Sequence, residues 1–308
     1  MSIAIIGSGA LGLYYGAMLQ RAGEEVHFLL RRDLDAIRED GLSVISISGD
    51  FHLDNVKGYS TSNAMPRVDT VIIGLKTFNN YDMDTLIRPL LDDDTAILTL
   101  QNGLGNEEQL ASLFGAQRIL GGVAFLCSNR GKPGTVHHLG QGKIRLGEFA
   151  GGLSARAQAL AEMFRRACVP CEAVADLKKA RWEKLVWNIP FNGLCALSQC
   201  TTDQLLAHPP SRELVQTLMA EVVQGANAQG LSSDIVSTDF AAHLIDLTEG
   251  MGDYRPSMMI DRQQQRALEL NSIYAIPLQH AKQQGLAMPQ TTMLYSLLDL
   301  GEQAATTD

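Results

Sequence analysis

The 308-residue sequence predicts an α/β fold in two domains, a parallel-sheet domain over residues 1–175 and an all-helical domain over residues 176–308. Two patterns predict this division. Short apolar runs, separated by glycines, polar residues and helical segments, recur through the first part and are typical of buried parallel strands. After Asp176 the apolar residues recur with helical spacing almost to the end of the chain.

The first strand and helix flank a glycine-rich turn. Ser2–Ile6 is a short apolar run, residues 7–12 read GSGALG, and small and apolar residues of helical character follow. In this context the glycines permit a tight turn, a close approach to a pyrophosphate and close packing of helix on strand, and the N–H groups of the helix start face the phosphates. The pattern predicts a Rossmann-type dinucleotide site at Gly7, Ser8, Gly9, Ala10, Leu11 and Gly12. The alternative is a glycine-rich turn without a ligand.

The end of the second strand predicts which dinucleotide binds. Residues 25–30 form the strand, and Arg31-Arg32 stands where NAD-binding units carry an acidic residue for the ribose 2′-hydroxyl. A guanidinium can hold a 2′-phosphate through charge-assisted bonds, whereas a carboxylate would repel it. We therefore predict NADP(H), with Arg31 as the better-placed ligand and Asp33 as a partner for an arginine. A solvated basic turn is the alternative.

Two further predicted strands end in polar residues. Lys76 follows the apolar run 68–75, and Asn102 follows the run 95–100 together with glycines. Ligands of open α/β sheets bind outside the carboxyl ends of the strands. We therefore expect Lys76 to reach a phosphate or ribose and Asn102 to lie near a ligand, unless Asn102 is only a turn residue in left-handed geometry.

The rest of the first domain is predicted from shorter patterns. We expect residues 42–60 to form a small antiparallel insertion. Further apolar or alternating runs predict strands over 119–126, 135–139, 143–147 and 171–175, with a helix over 154–167.

The most informative helix of the second domain spans residues 180–194. Lys184, Asn188 and Asn192 are spaced four residues apart, which puts them on one face of a helix that is otherwise apolar nearly all round. A polar stripe in buried surroundings needs polar partners. Lys184 could donate to a developing alkoxide, and the two asparagines could donate to a carboxylate or hydroxyl. The alternative is a stripe that faces solvent.

Later segments of this domain are less distinctive. Pro209-Pro210 interrupts the helical pattern, and Ser257 follows Pro256 at the start of a helix that we expect to carry Glu269 and Asn271 near its end.

Composition and charge exclude several classes of protein. Hydrophobic residues make up 45% of the chain, and the net charge is −9, which argues against nucleic-acid and anionic-membrane partners. No apolar run approaches a membrane span, and the first residues do not resemble a secretory leader. Five cysteines in a large chain favour reduced thiols and a cytoplasmic location, and their spacing does not favour a metal site.

These residues together resemble the 2-dehydropantoate 2-reductase (ketopantoate reductase) family over nearly the whole chain. The features that carry the resemblance are Gly7–Gly12, Arg31, Lys76, Asn102-Gly103 with Gly105, Pro133-Gly134, Trp182 with Lys184-Leu185 and the two following asparagines, Ser257-Met258 and Glu269. The resemblance implies NADPH-dependent reduction of the C2 ketone of 2-dehydropantoate to (R)-pantoate, for the pantothenate pathway. It also agrees with the predicted fold, and by analogy helical second domains often supply dimer surfaces, so a homodimer is possible.

The resemblance also implies individual roles. Lys184 matches the general acid, Glu269 a carboxylate that contacts the cofactor near the active site, and Lys76 a cofactor contact. Asn188, Asn192 and Ser257 match substrate-binding positions, and Asn102 matches a residue close to both ligands.

Departures from the family pattern leave the substrate open. The family often has an acidic residue where Asn271 stands, an Asn-Gly pair near Tyr274 and an asparagine where Thr202 stands. A reductase of another small 2-keto acid and a non-catalytic NADP sensor therefore remain alternatives, although a sensor would not need the lysine.

Overall fold

The structure is a computed structural model that describes residues 1–235 and 237–305. It divides into two compact units, the first made of Met1–Gln101 and Asn106–Leu177, and the second of Asn102–Gly105 and the chain from Lys178 onward. The sequence pattern places the boundary at 175/176 and contains no sign that residues 102–105 belong with the helical unit. Residues 306–308, at the end of the predicted second domain, lie outside the described residues.

The first unit is built on a ten-stranded mixed sheet. Its strands are β1 (Ser2–Ile6), β2 (Glu25–Leu29), β3 (Leu42–Ser46), β4 (Phe51–Leu53), β5 (Lys57–Tyr59), β6 (Thr70–Ile73), β7 (Ala96–Thr99), β8 (Ile119–Arg130), β9 (Thr135–Glu148) and β10 (Cys171–Ala173). Its helices are α1 (Ala10–Arg21), α2 (Leu34–Asp40), α3 (Met83–Ile87), α4 (Asn106–Phe114) and α5 (Ala155–Arg166), with 3₁₀ turns at Ser62–Ala64, Thr77–Asp82, Arg88–Leu90 and Ala116–Arg118.

The strand order places β1 at a topological switch point. β1 pairs in parallel with β2 on one side and with β6 on the other, and the order across the sheet is β4-β3-β9-β8-β7-β6-β1-β2-β5. Open α/β sheets bind ligands at the carboxyl ends of strands where the order reverses in this way. The turn after β1 therefore occupies the position at which this fold presents a ligand.

Apolar side chains cover both faces of this sheet. Ile3 and Ile5 of β1 join one buried cluster with residues of α1 and α5, while Ala4 and Ile6 join a second cluster with residues of α3 and α4. Successive residues of a strand point to opposite faces, so a strand buried on both sides reads as a continuous apolar run. This accounts for the uninterrupted apolar pattern of β1.

Two strand predictions were wrong in detail. The runs 135–139 and 143–147 form one strand, β9, which pairs with β8 in antiparallel through two register shifts. The insertion at 42–60 is antiparallel only between β3 and β4, since β3 pairs in parallel with β9 and β5 pairs in parallel with β2. Bulges and edge pairings of this kind depend on long-range partners, which local patterns do not record.

Helices joined by turns and loops make up the described residues of the second unit, without a strand, which confirms the predicted fold class. Its helices are α6 (Leu177–Ser198, with its first residue in the first unit), α7 (Thr202–Ala207), α8 (Pro209–Asn227), α9 (Ser237–Glu249), α10 (Ser257–Gln263), α11 (Ile276–Gln283) and α12 (Pro289–Ala305), with a π-helical turn at Asn271–Ala275. A single apolar cluster that includes Trp182, Phe191 and Tyr274 forms its core.

One helix prediction was confirmed and another was wrong. Pro209-Pro210 interrupts the helical pattern, since α7 ends at Ala207 and the prolines open α8, where a proline in the first turn removes an N–H that has no intrahelical partner. The helix that begins at Ser257 ends at Gln263, so Glu269 and Asn271 are not part of it. Within the described residues, no helix has the length and apolar composition that a membrane crossing requires.

Candidate active site

The glycine turn after β1 has the geometry that a pyrophosphate needs. Gly7 has φ +101°, and a Cβ there would lie 2.3 Å from the backbone nitrogen of Leu75, so only glycine fits. Around Gly9, in contrast, no heavy atom lies within 4 Å of the position that a Cβ would take. Gly9 is the N-cap residue of α1, and no acidic residue lies in the first turn of this helix. The backbone N–H groups at this helix N-terminus therefore face open space, which is an arrangement that favours binding of an anion.

The end of β2 next to this turn carries exposed cations. Arg31 and Arg32 are exposed, and Arg32 donates from Nη2 to the carbonyl of Gly131 at 3.0 Å. Asp33 is buried, pairs with Arg130 and accepts from the N–H of Gly134 at 3.2 Å. The prediction that Asp33 pairs with an arginine is therefore correct, and the partner is the last residue of β8 rather than a neighbour in sequence.

Lys76 lies at the carboxyl end of β6, beside the glycine turn. The N–H of Gly74 donates to the carbonyl of Ile6 at 2.8 Å, which keeps the two strand ends adjacent. Gln101, at the end of β7, donates to the carbonyl of Leu75 at 3.0 Å and is buried. Gln101 was not among the predicted residues, although a glutamine directly after a buried strand could have indicated it.

Lys184 and Asn102 come together in the second unit. The Nζ of Lys184 donates to Oδ1 of Asn102 at 2.7 Å, and the lysine is partly buried on α6. The left-handed residues of this loop are Gly103 and Gly105, at φ +81° and +89°, rather than Asn102. A turn asparagine in left-handed geometry is therefore excluded, and the carboxamide instead holds an ammonium group.

The two asparagines of the stripe on α6 are buried. Asn188 is 3% exposed and Asn192 is 2% exposed, so the stripe does not face solvent. Asn192 accepts from the N–H of Met258 at 3.3 Å. This bond satisfies a backbone donor in the first turn of α10, where the exposed Ser257 is the first residue. Asn192 and Ser257 are thereby brought to the same place.

Glu269 lies in the segment between α10 and the π-helical turn. It is 5% exposed, and its carbonyl accepts from the N–H of Ile273 at 3.2 Å. The carbonyl of Ser272, in the same turn, accepts from the N–H of Leu104 at 2.9 Å. The loop that carries Asn102 and the turn that follows Glu269 are therefore in direct contact.

No group of three or more histidine, cysteine or acidic side chains within residues 1–235 and 237–305 is arranged to hold a metal ion. The five cysteines are free thiols, and burial raises the pKa of Cys171 and of Cys195 to about 12.

Comparison with known proteins identifies the family. The model described as Ketopantoate reductase PanE/ApbA matches residues 3–151, and its C-terminal counterpart matches residues 176–302. The 2-dehydropantoate 2-reductase of Nostoc sp. is 43% identical over 300 residues, which covers 96% of this chain and 93% of the relative. The chain belongs to the ketopantoate reductase family. It is therefore an oxidoreductase of a family that uses pyridine nucleotides.

Two solved structures are similar to this chain over nearly its whole length. The 2-dehydropantoate 2-reductase of Geobacter metallireducens GS-15 is 57% identical, with a TM-score of 0.96, and the match covers 98% of this chain and 100% of that one. A D-mandelate dehydrogenase solved with NADH and anilino(oxo)acetate has a TM-score of 0.91 at 24% identity, over 99% of this chain and 100% of that one. At that identity the likeness concerns the fold alone.

Two of the three residues that depart from the ketopantoate reductase pattern form hydrogen bonds within the protein. Thr202 is fully buried, and its Oγ1 donates towards the carbonyls of Gly252 and Tyr254 at 3.2 and 3.3 Å. The hydroxyl of the buried Tyr274 donates to the carbonyl of Ile189 at 2.8 Å. Both side chains therefore contact the protein interior, whereas Asn271 is exposed.

Proposed function

We propose that this protein is an NADPH-dependent 2-dehydropantoate 2-reductase that forms (R)-pantoate for pantothenate synthesis. The observation that carries the proposal is the pair of Lys184 and Asn102, a partly buried ammonium group held at 2.7 Å by a carboxamide. In a chain of this family the pair supplies a positioned proton donor. In this proposal the predicted first domain, residues 1–175, binds NADP(H), and the predicted helical domain, residues 176–308, holds the substrate together with Asn102.

Lys184 acts as the general acid in the proposed reaction. When bound, the reduced nicotinamide supplies a hydride to the C2 carbon of the substrate. Negative charge then develops on the ketone oxygen, and the Lys184 ammonium gives that oxygen a proton, so the product is a neutral hydroxyl group. The asparagine carboxamide keeps the ammonium in place without adding charge of its own.

The substrate carboxylate and hydroxyl would bind to neutral donors. We assign this role to Asn102, Asn188, Asn192 and Ser257, which lie in the helical unit. Amides and a hydroxyl can donate to a carboxylate without an opposing ion pair, so Lys184 stays the one cation that we assign to the reacting oxygen. Glu269, which is buried and precedes the π-helical turn, is assigned to contact the cofactor and orient it.

The contacts of Asp33 support the preference for NADP(H) over NAD(H). A carboxylate at the end of β2 would bind ribose hydroxyls and repel a 2′-phosphate. Here Asp33 is buried and occupied by Arg130 and by the N–H of Gly134, while Arg31 is exposed. Arg31 thus presents positive charge without a competing carboxylate next to it. The remaining proposed cofactor contacts are Gly7–Gly12 and Lys76.

A second candidate is a reductase of another small 2-keto acid. It is favoured by Asn271, which is exposed and neutral where the family pattern is often acidic. Since Thr202 and Tyr274 are used in internal hydrogen bonds, these two departures do not by themselves support a different substrate.

Steady-state oxidation of NADPH tests these candidates. A panel of 2-dehydropantoate, 2-oxoisovalerate, pyruvate and benzoylformate should give the highest kcat/KM with 2-dehydropantoate. Preferential turnover of another acid would replace the proposed substrate, and tight NADPH binding without any turnover would favour an NADP sensor. We also propose a cytoplasmic location, consistent with the free thiols. The homodimer stays a prediction that light scattering can test.

A further inference from the structure

The loop of Asn102–Gly105 contacts the helices of the second unit through Asn102 and through Leu104. Asn102 accepts the hydrogen bond of Lys184, and the N–H of Leu104 donates to the carbonyl of Ser272 at 2.9 Å. The side chain of Leu104 is 7% exposed and joins the apolar core of that unit. This loop follows a strand of the first unit in sequence, yet it belongs to the helical unit.

The π-helical turn explains why Ser272 contacts this loop. In a π-helix each carbonyl accepts from the N–H five residues later, and Asn271 accepts from Ile276 in this way. The next donor of the series would be residue 277, which is a proline and has no N–H. Leu104 supplies an N–H to the carbonyl of Ser272 at the position where the helix itself cannot.

Gly103 sets how closely the loop approaches this turn. A Cβ on Gly103 would lie 2.3 Å from the carbonyl oxygen of Ser272 and 2.4 Å from its carbonyl carbon. Both are backbone atoms, so neither can move aside as the end of a flexible side chain would. The φ of +81° is a second reason for glycine at this position.

We propose that Gly103, Leu104 and the π-helical turn with the Pro277 that follows it position Lys184 for proton transfer, because they fix the carboxamide of Asn102. They are positioning residues, and the proposal rests on the proposed function in that Lys184 is the proton donor. A lysine ammonium on a flexible four-carbon chain needs a fixed acceptor to stay in one place. A displacement of about 1 Å at a reacting group can lower the rate about 100-fold.

The Gly103→Ala variant tests this proposal, with Gly230→Ala as a matched control. Gly230 is also left-handed, at φ +65°, and lies in the same unit, but no heavy atom lies within 4 Å of its missing Cβ. Gly103→Ala should lower kcat about 10- to 100-fold and leave the Kd of NADPH unchanged. Gly230→Ala should leave both unchanged.

A double-mutant cycle separates positioning from a general loss of structure. If Gly103 acts through Asn102, Gly103→Ala should lower kcat less than about twofold further in an Asn102→Ala background, because the two changes remove one interaction. Full additivity of the two effects on kcat would overturn the proposal.

Chemical labelling gives a readout that does not need turnover. Acetic anhydride should modify Lys184 several-fold faster in Gly103→Ala and in Asn102→Ala than in the unchanged protein, relative to the exposed Lys178 as quantified by mass spectrometry. Equal labelling of Lys184 in all three proteins would overturn the proposal. If Gly103→Ala does not fold, Leu104→Ala, which loses packing but keeps the N–H, takes its place in the same comparison.

Two outcomes distinguish a failure of the proposed function from a failure of this inference. If Lys184→Ala keeps full turnover while Gly103→Ala still accelerates labelling, the loop fixes Lys184 but the lysine is not the general acid. If labelling is unchanged while Lys184→Ala abolishes turnover, the general acid stands and the positioning role is wrong.

Discussion

Lys184 lies on the same helical face as Asn188 and Asn192, but it differs from them in being only partly buried. An ammonium group with access to a ligand and a fixed amide partner is suited to give up a proton in the transition state. Lys184→Ala should therefore lower kcat about 10²- to 10⁴-fold, while the Kd of NADPH changes little. Steady-state kinetics and fluorescence titration of NADPH measure the two quantities.

The control for Lys184→Ala is Lys178→Ala, on the same helix. Lys178 is exposed and donates to the carbonyl of Gln229, and it does not belong to the four-residue spacing of Lys184, Asn188 and Asn192. Its removal should leave kcat unchanged. Unchanged turnover in Lys184→Ala would remove this lysine from the mechanism.

In the proposed function, Arg31 binds the 2′-phosphate and so determines the preference for NADPH over NADH. Charge-assisted hydrogen bonds to a phosphate contribute about 1.5–3 kcal/mol, so Arg31→Ala should weaken NADPH about 10- to 100-fold. NADH lacks the 2′-phosphate and should lose little affinity. Isothermal titration with both nucleotides measures the difference. Equal loss for both would contradict the assignment of the 2′-phosphate to Arg31.

Residue-level prediction from sequence succeeded where spacing within one element decides the outcome. The four-residue interval indicated one helical face for Lys184, Asn188 and Asn192 because helix geometry is local. The contact of Lys184 with Asn102 joins positions 82 residues apart, and no local pattern records it. The same holds for Asp33, whose partner Arg130 ends β8 and lies 97 residues away in sequence.

At the level of elements, Asn192 links α6 to the start of α10. Its buried Oδ1 accepts from the N–H of Met258, one of the donors that a helix start leaves without an intrahelical partner. Asn192→Ala leaves that buried donor unpaired and should lower the free energy of unfolding by about 1–3 kcal/mol. It should also raise the KM of the keto acid if Ser257, at the start of α10, binds substrate.

Asn192→Asp is the informative comparison for this helix. The carboxylate keeps an acceptor for Met258 and lies at the N-terminus of α10, where negative charge is favourable. It should lose less stability than Asn192→Ala in urea unfolding. Equal destabilisation by both changes would contradict the capping role of the side-chain oxygen.

Element boundaries were predicted well only where the chain itself marks them. Ser154 accepts from the N–H of Ala157 and caps α5 as its type suggests, and the strand β1 ends at the glycine turn. The union of two runs into β9 and the π-helical turn after Leu270 depend on partners elsewhere in the chain. Pro277 can be read in the sequence, but the contact of Leu104 with Ser272, which lies five residues before this proline, cannot.

For the whole molecule, two buried thiols make the free energy of unfolding depend on pH in the alkaline range. Burial raises the pKa of Cys171, in the first unit, and of Cys195, in the second, from about 9 to about 12. Between these values the unfolded chain loses the two protons while the folded chain keeps them, so the unfolded state binds fewer protons and stability falls as pH rises. Burial also raises the pKa of Tyr15 and of Tyr274, which adds to the loss above pH 10.

The expected slope is large enough to measure. Each buried thiol should lower the free energy of unfolding by about 1.4 kcal/mol per pH unit above its unfolded pKa, and the two together by about 2.7 kcal/mol. Urea unfolding in reducing buffer between pH 8 and about pH 10.5 measures the slope. Cys195→Ala should reduce it by about half, and Cys168→Ala, which removes an exposed thiol, is the matched control. A free energy of unfolding that stays constant across this range would show that the thiols do not resist ionisation in the folded protein, and that burial at Cys171 and Cys195 costs less than their low exposure implies.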